Sequence, residues 1–156
     1  MRRLILVCLL WTGACASVPQ GRQPAAAEAE IDAFNAALKD ATTRMDNAAV
    51  AALWEEDGVT LLPATDPIVG RKAIRTFVDR ITDANPGAHM DLFEMQCSRI
   101  DVSGDLATEV CEEHQRVEFP GHPTFEGWGK MLLVLHRGAD GVWRMRREMW
   151  NEGVKR

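Results

Sequence analysis

Residues Gly58 to Phe77 constrain the chain more tightly than any other stretch. Gly58-Val59-Thr60-Leu61-Leu62 has the β-branched and leucine content of a short strand. Pro63 and Pro67 end it, because neither can donate a backbone hydrogen bond to a ladder. Just beyond Gly70, Ile74, Phe77, Val78 and Ile81 recur at helical spacing, and Arg71, Lys72, Arg75 and Arg80 fall between them. A strand, a proline-bracketed break and an amphipathic helix over Arg71 to Ile81 are thus required within some twenty-five residues.

Two helices are expected before this unit. Ile31, Phe34, Leu38 and Ala41 define an apolar stripe over Glu28 to about Thr42. Asp46 or Asn47 caps a second helix running through Trp54, with Val50, Leu53 and Trp54 as its buried face. After it, Asn85-Pro86-Gly87 breaks the third helix, and four long strands follow at about His89 to Val102, Leu106 to Phe119, Phe125 to Arg137 and Val142 to Asn151. Ser-Gly-Asp, Pro-Gly-His-Pro and Gly-Ala-Asp-Gly turns separate them.

The first residues carry a different message. Arg2-Arg3 followed by the apolar run Leu4 to Trp11 and then small residues is the pattern of a secretory signal over residues 1–16. The run is too short to span a bilayer, which takes about 20 apolar residues. Thr12-Gly13-Ala14-Cys15 resembles a bacterial lipobox with Cys15 as the lipidated residue, while Ala14-Cys15-Ala16 also fits ordinary cleavage. Residues 17–28, rich in Pro, Gln and Ala, read as a flexible tether, and residues 29–153 as one domain. The expected location is the bacterial cell envelope, with membrane contact only through a lipid anchor. A net charge of −5 gives no basic footprint for nucleic acid.

The order of elements, together with Leu53-Trp54-Glu55-Glu56-Asp57-Gly58, Ser103-Gly104-Asp105-Leu106-Ala107 and Asp140-Gly141-Val142-Trp143-Arg144 leading to Met149-Trp150-Asn151, resembles the nuclear transport factor 2-like superfamily. Within it the resemblance, covering Glu30 to Asn151, is to the SnoaL-like and ketosteroid-isomerase-like branch. It implies an α+β fold, a cone-shaped curved antiparallel sheet wrapped over three N-terminal helices, with an apolar mouth for a small ligand and a homodimer as the usual assembly. Aligning on the Leu53 block puts Phe34 where the isomerases carry a tyrosine and Leu62 where they carry the base. Leu132 stands near the second acid position, and the chain has no tyrosine at all. Steroid-type isomerisation is therefore disfavoured.

The same alignment turns Thr108, Val110, Glu112 and His114 inward, with Lys130, Val134 and His136 on the next strand and Arg146, Glu148 and Trp150 on the last. Glu112, His114 and Glu148 are then the candidate proton-transfer residues of a cofactor-independent isomerase, lyase or cyclase. Phe34, Trp54, Leu62, Val110, Trp128 and Trp150 are candidate ligand walls. A self-satisfied ion network with ordinary aromatic core packing is the competing interpretation. A non-catalytic interaction module, using Met131, Leu133, Leu135 and Met149 as an outward apolar face, is the alternative function. His114, His122 and the nearby glutamates lack compact ligand spacing, so neither a metal nor any other cofactor is expected.

Cys97 and Cys111 are the cysteines left once Cys8 and Cys15 belong to the leader, and an exported pair is expected to bond. A hairpin turning symmetrically about Gly104 sets them opposite each other, since each stands seven residues away. The same register sets Arg99 across from Glu109.

Overall fold

The computed structural model describes residues 24–155. The leader at 1–16 and Cys15 lie outside the described residues, as does most of the tether. Of the tether, residues 24–28 are helical: helix α1 spans Pro24–Thr43, and Ala27 is already buried. Its stripe of Ala27, Ile31, Phe34, Leu38 and Ala41 is buried throughout, as an amphipathic helix laid on a sheet requires.

Helix α2 is short, Asn47–Ala52, and is capped by Asp46, whose carboxylate accepts from the Ala49 backbone N–H at 2.9 Å. It ends before Trp54, which opens strand β1 (Trp54–Leu61) instead of closing the helix. Strand β2 (Ile68–Val69) pairs back on β1 past the two prolines, and helix α3 (Arg71–Ala84) follows. Arg71 does not belong to the solvated face of α3. Its guanidinium holds the Trp54 carbonyl and, at 2.6 Å, the Glu56 carboxylate, tying the start of α3 to the start of β1. Ile81, expected on the apolar side, is half exposed.

The long strands are β3 (His89–Ser103), β4 (Leu106–Glu118), β5 (Phe125–Arg137) and β6 (Trp143–Glu152). With β1 and β2 they form a six-stranded sheet in the order β2-β1-β6-β5-β4-β3, antiparallel except where β1 runs parallel to β6. The three helices cover one face of this curved, unclosed sheet.

Which residues face the helices differs from expectation. On β4 the buried residues are Ala107, Glu109, Cys111, Glu113 and Val117, and on β5 they are Met131, Leu133 and Leu135. Thr108, Val110, Glu112 and His114, with Lys130, Val134 and His136, take the opposite face. The apolar set Met131, Leu133 and Leu135 therefore forms the core and not an outward interface. Burying three large apolar side chains outweighs any alignment that would bury Lys130 in their place.

On β6 the inward set changes partway. Trp143 and Met145 are buried, then a bulge opposite Val134 and Leu135 inserts a residue, and Glu148 and Trp150 point inward beyond it. Arg146, expected beside Glu148, instead approaches Glu55 at 3.5 Å.

A disulfide joins Cys97 and Cys111, directly opposite in the β3–β4 register. The turn itself is not symmetric about Gly104: Ser103 pairs with Leu106 around the two-residue loop Gly104-Asp105, with φ +62° at Gly104. A bulge between Ser98 and Asp101 then absorbs one residue and brings the cysteines level. Arg99 lies in that bulge with φ +53°, so it does not pair with Glu109. Glu109 is buried beneath α1, where Asn35 Nδ2 donates to it at 2.8 Å.

Candidate functional site

Between the helices and the inward face of the sheet lies a cavity of about 260 Å³. Its walls are aromatic and thioether side chains: Trp54 from β1, Phe77 from α3, Phe93 and Met95 from β3, Met131 from β5 and Trp150 from β6. Two carboxyl groups border it, Glu113 from β4 and Glu148 from β6.

Each acid is held by its neighbours in the sheet. Thr60 and Glu148 are direct partners in the parallel β1–β6 ladder, and the Thr60 hydroxyl donates to Glu148 Oε2 at 2.6 Å. Glu113 stands opposite Gly129, and Trp150 reaches it from β6 by passing over β5. The indole N–H donates to Glu113 Oε1 at 2.7 Å, and the Gln115 amide lies farther off at 3.4 Å. A β-carbon at Gly129 would stand 2.4 Å from Trp150 Nε1 and 2.6 Å from Glu113 Oε1, so only glycine leaves this bond room.

Burial pushes both carboxyl pKa values up. For Glu113 the bond from Trp150 partly offsets it; for Glu148 the Thr60 hydroxyl offsets it, while the nearby Glu113 adds to the rise. Two acids whose protonated form is favoured by burial in an apolar cavity can donate hydrogen bonds to a ligand, or exchange protons with it.

The sequence-derived candidates divide between the two faces. Trp54, Leu62, Glu148 and Trp150 line the cavity. Phe34 is packed in the core under α1. Val110 is 40% exposed on the outer face. Glu112, His114 and Trp128 line a separate outer hollow of about 430 Å³, together with Glu94 and Lys130. There the His114 ring stacks on Trp128 at 4.7 Å between centroids, with Nε2 2.9 Å from Glu126 Oε1. The expected inward floor of Glu112, His114 and Glu148 is therefore not assembled. Glu113 and Thr60 were missed, although Glu113 is adjacent to the residue selected. The alternation of Met131, Leu133 and Leu135 against Lys130 and His136 was the signal that could have found it.

Two other features carry potential ligand groups. Cys97, Glu109 and Cys111 bring potential metal-ligand atoms within 4.8 Å of one another, but both sulfurs are consumed by the disulfide. An open trough of about 590 Å³ between β2 and α3 carries Glu56, Lys72 and Arg80 along solvent, without convergent polar groups. Among the described residues no helix is long and apolar enough to cross a membrane.

N-terminal helices followed by a curved, unclosed six-stranded sheet define the class of nuclear transport factor 2-like, cystatin-like folds. The chain belongs to the SnoaL-like domain family, whose model matches residues 23–148. Solved structures agree on the fold. A ketosteroid isomerase-like protein from Erwinia carotovora atroseptica superposes with a TM-score of 0.70 at 20% identity, over 81% of this chain and 96% of that one. A nuclear transport factor 2-like protein with a cystatin-like fold from Novosphingobium aromaticivorans gives 0.64 at 23%, over 80% of each chain. A structure from Catenulispora acidiphila in complex with S-DNPA gives 0.67 at 19%, over 82% and 94%. No curated protein matches the sequence.

Proposed function

We propose that this is an exported protein that binds a small, largely apolar molecule in its cone and exchanges protons with it through Glu113 and Glu148. The observation that carries the reading is the placement of these two carboxyls on one cavity, each held by neutral side-chain donors, Trp150 and more distantly Gln115 for one and Thr60 for the other. A purely structural sheet gains nothing from such a pair, because burying ionisable groups without counter-charges is costly. Sites of this kind, apolar with a few convergent polar groups and displaced pKa values, are where ligands are bound and protons moved. That the Catenulispora neighbour holds a small molecule supports the same use of the fold.

Native mass spectrometry of protein purified from its host tests this. A retained small molecule that is lost or weakened in Glu148→Gln supports it. A cone that is empty and takes up nothing from host extracts overturns it. Steroid isomerisation is not proposed: Phe34 is core, Leu62 offers no base, and the cavity is smaller than the roughly 300–1,000 Å³ of drug-sized sites. The leader at 1–16 motivates export, with mature protein beginning at or just after Cys15; intact mass checks it, and a chain retaining Met1 in the host would contradict it.

One feature of the opposite face favours a second, compatible role. Val110, Leu132 and Met149 are register partners in a row across β4, β5 and β6, and are 40%, 44% and 45% exposed. This row suits a homodimer contact. Sedimentation of Leu132→Glu against the parent protein tests it.

A further inference from the structure

The cavity shows an imbalance of charge type. It is bordered by two carboxyls, and among the described residues no Lys, Arg or His lines it. The outer surface, by contrast, pairs its acids with bases: Arg116 with Asp91, Arg144 with Asp140, Arg75 with Asp79. Thr60, Gln115 and Trp150 are the polar groups that meet the two carboxyls, and all three are neutral.

Resting on the cavity reading above, we propose that the ligand of the cone is an organic cation, a compact apolar amine protonated at nitrogen. Three observations converge on this class. First, an ionised carboxylate can accept up to four hydrogen bonds, and Glu113 and Glu148 each receive one short bond, so acceptor positions remain for the two or three N–H donors of an ammonium group. Second, Trp54, Trp150, Phe77 and Phe93 surround the space, and aromatic faces attract a cation through their quadrupole, most strongly where water is excluded. Third, the thioethers of Met95, Met131 and Met145 supply polarizable contacts for the apolar body of the ligand.

Other ligand charges use the site less well. An anionic ligand would meet two acids and no base. A neutral ligand leaves both acids to keep their protons, as burial already favours, and brings no counter-charge to either. A cation lets one acid ionise against a counter-charge while the other stays neutral and hydrogen-bonded, which removes the like-charge conflict between them. The volume of about 260 Å³ restricts the body to one ring or a short branched chain.

The test is calorimetric titration of the full mature chain with three matched pairs: phenethylamine and 2-phenylethanol, cyclohexylmethylamine and cyclohexylmethanol, hexylamine and hexanol. Amines are expected to bind at least about tenfold tighter than their alcohols. Runs in two buffers of different ionisation heat are expected to show proton release on amine binding, because Glu113 and Glu148 are the titratable groups lining the cavity. Glu113→Gln and Glu148→Gln, close in size to the parent side chains, should each erode the amine-over-alcohol preference. Alcohols binding as tightly as amines, or Gln variants that keep the full preference, would overturn the cation assignment and leave the cavity reading standing. If no member of either class binds, both fall. The parent-protein comparison decides the charge class even if a variant fails to fold.

Discussion

Trp150 donates its indole N–H to Glu113 across the full width of β5, at 2.7 Å, over a residue with no side chain. One bond thus fixes an aromatic wall and an acid of the same cavity at once. Its removal has a definite expected effect. Trp150→Phe keeps most of the ring but leaves Glu113 with the longer Gln115 contact, and should cost about 1–3 kcal/mol. Urea denaturation checks this, and a loss below about 0.5 kcal/mol, as for an ordinary surface change, would contradict it.

Gly129 is the second half of that arrangement. In Gly129→Ala the new methyl group would lie 2.4 Å from Trp150 Nε1 and 2.6 Å from Glu113 Oε1, closer than real contacts allow. The expected result is a stability loss of about 1–3 kcal/mol from overpacking, with an altered near-ultraviolet tryptophan signal. An unchanged spectrum and melting temperature would show that the bond does not need the gap.

Stability should depend on pH in a direction set by the buried acids. The folded pKa values of Glu113 and Glu148 lie above the ordinary 4.5, so as pH rises the unfolded chain releases these protons first. Their contribution is complete below about 4.5 and is lost as pH climbs through the folded values, each pKa unit amounting to about 1.4 kcal/mol. Asp140 acts in the opposite sense: Arg144 and the Val142 N–H lower it to about 2, so its contribution is present above 3.8 and lost as pH falls through 2. Urea midpoints at pH 5 and pH 8 should therefore decline for the parent and decline less for Glu148→Gln. A parent protein equally stable at both would refute the assignment.

Breaking the Cys97–Cys111 crosslink should lower stability by roughly 3 kcal/mol or less, the chain-entropy value for a closed loop of about 15 residues. The comparison is between oxidised protein and the Cys97→Ala, Cys111→Ala double variant, since a lone thiol could pair between molecules. Thiol titration of denatured, unreduced protein should find neither cysteine free.

The sequence by itself determined the order of the three helices and the longer strands, though not the short β2, because the signals responsible are local. The stripe from Ile31 to Ala41, the prolines at 63 and 67 and the Gly104 turn each act within a few residues. Of the candidates drawn from the family resemblance, Trp54, Leu62, Glu148 and Trp150 line one cavity in the structure. Facing within the sheet was decided only by tertiary structure. Side chains alternate with period two, so one inserted residue turns every later one to the other face. The bulge in β6 separates Arg146 from Glu148, and the one in β3 brings Cys97 level with Cys111 while removing Arg99 from Glu109. On β4 both alternating sets mix apolar and charged residues, and the strand alone gives no reason to prefer Glu113 over Glu112. The choice is made across the ladder by Met131, Leu133 and Leu135, whose burial against α1 and α3 outweighs anything encoded in β4 itself.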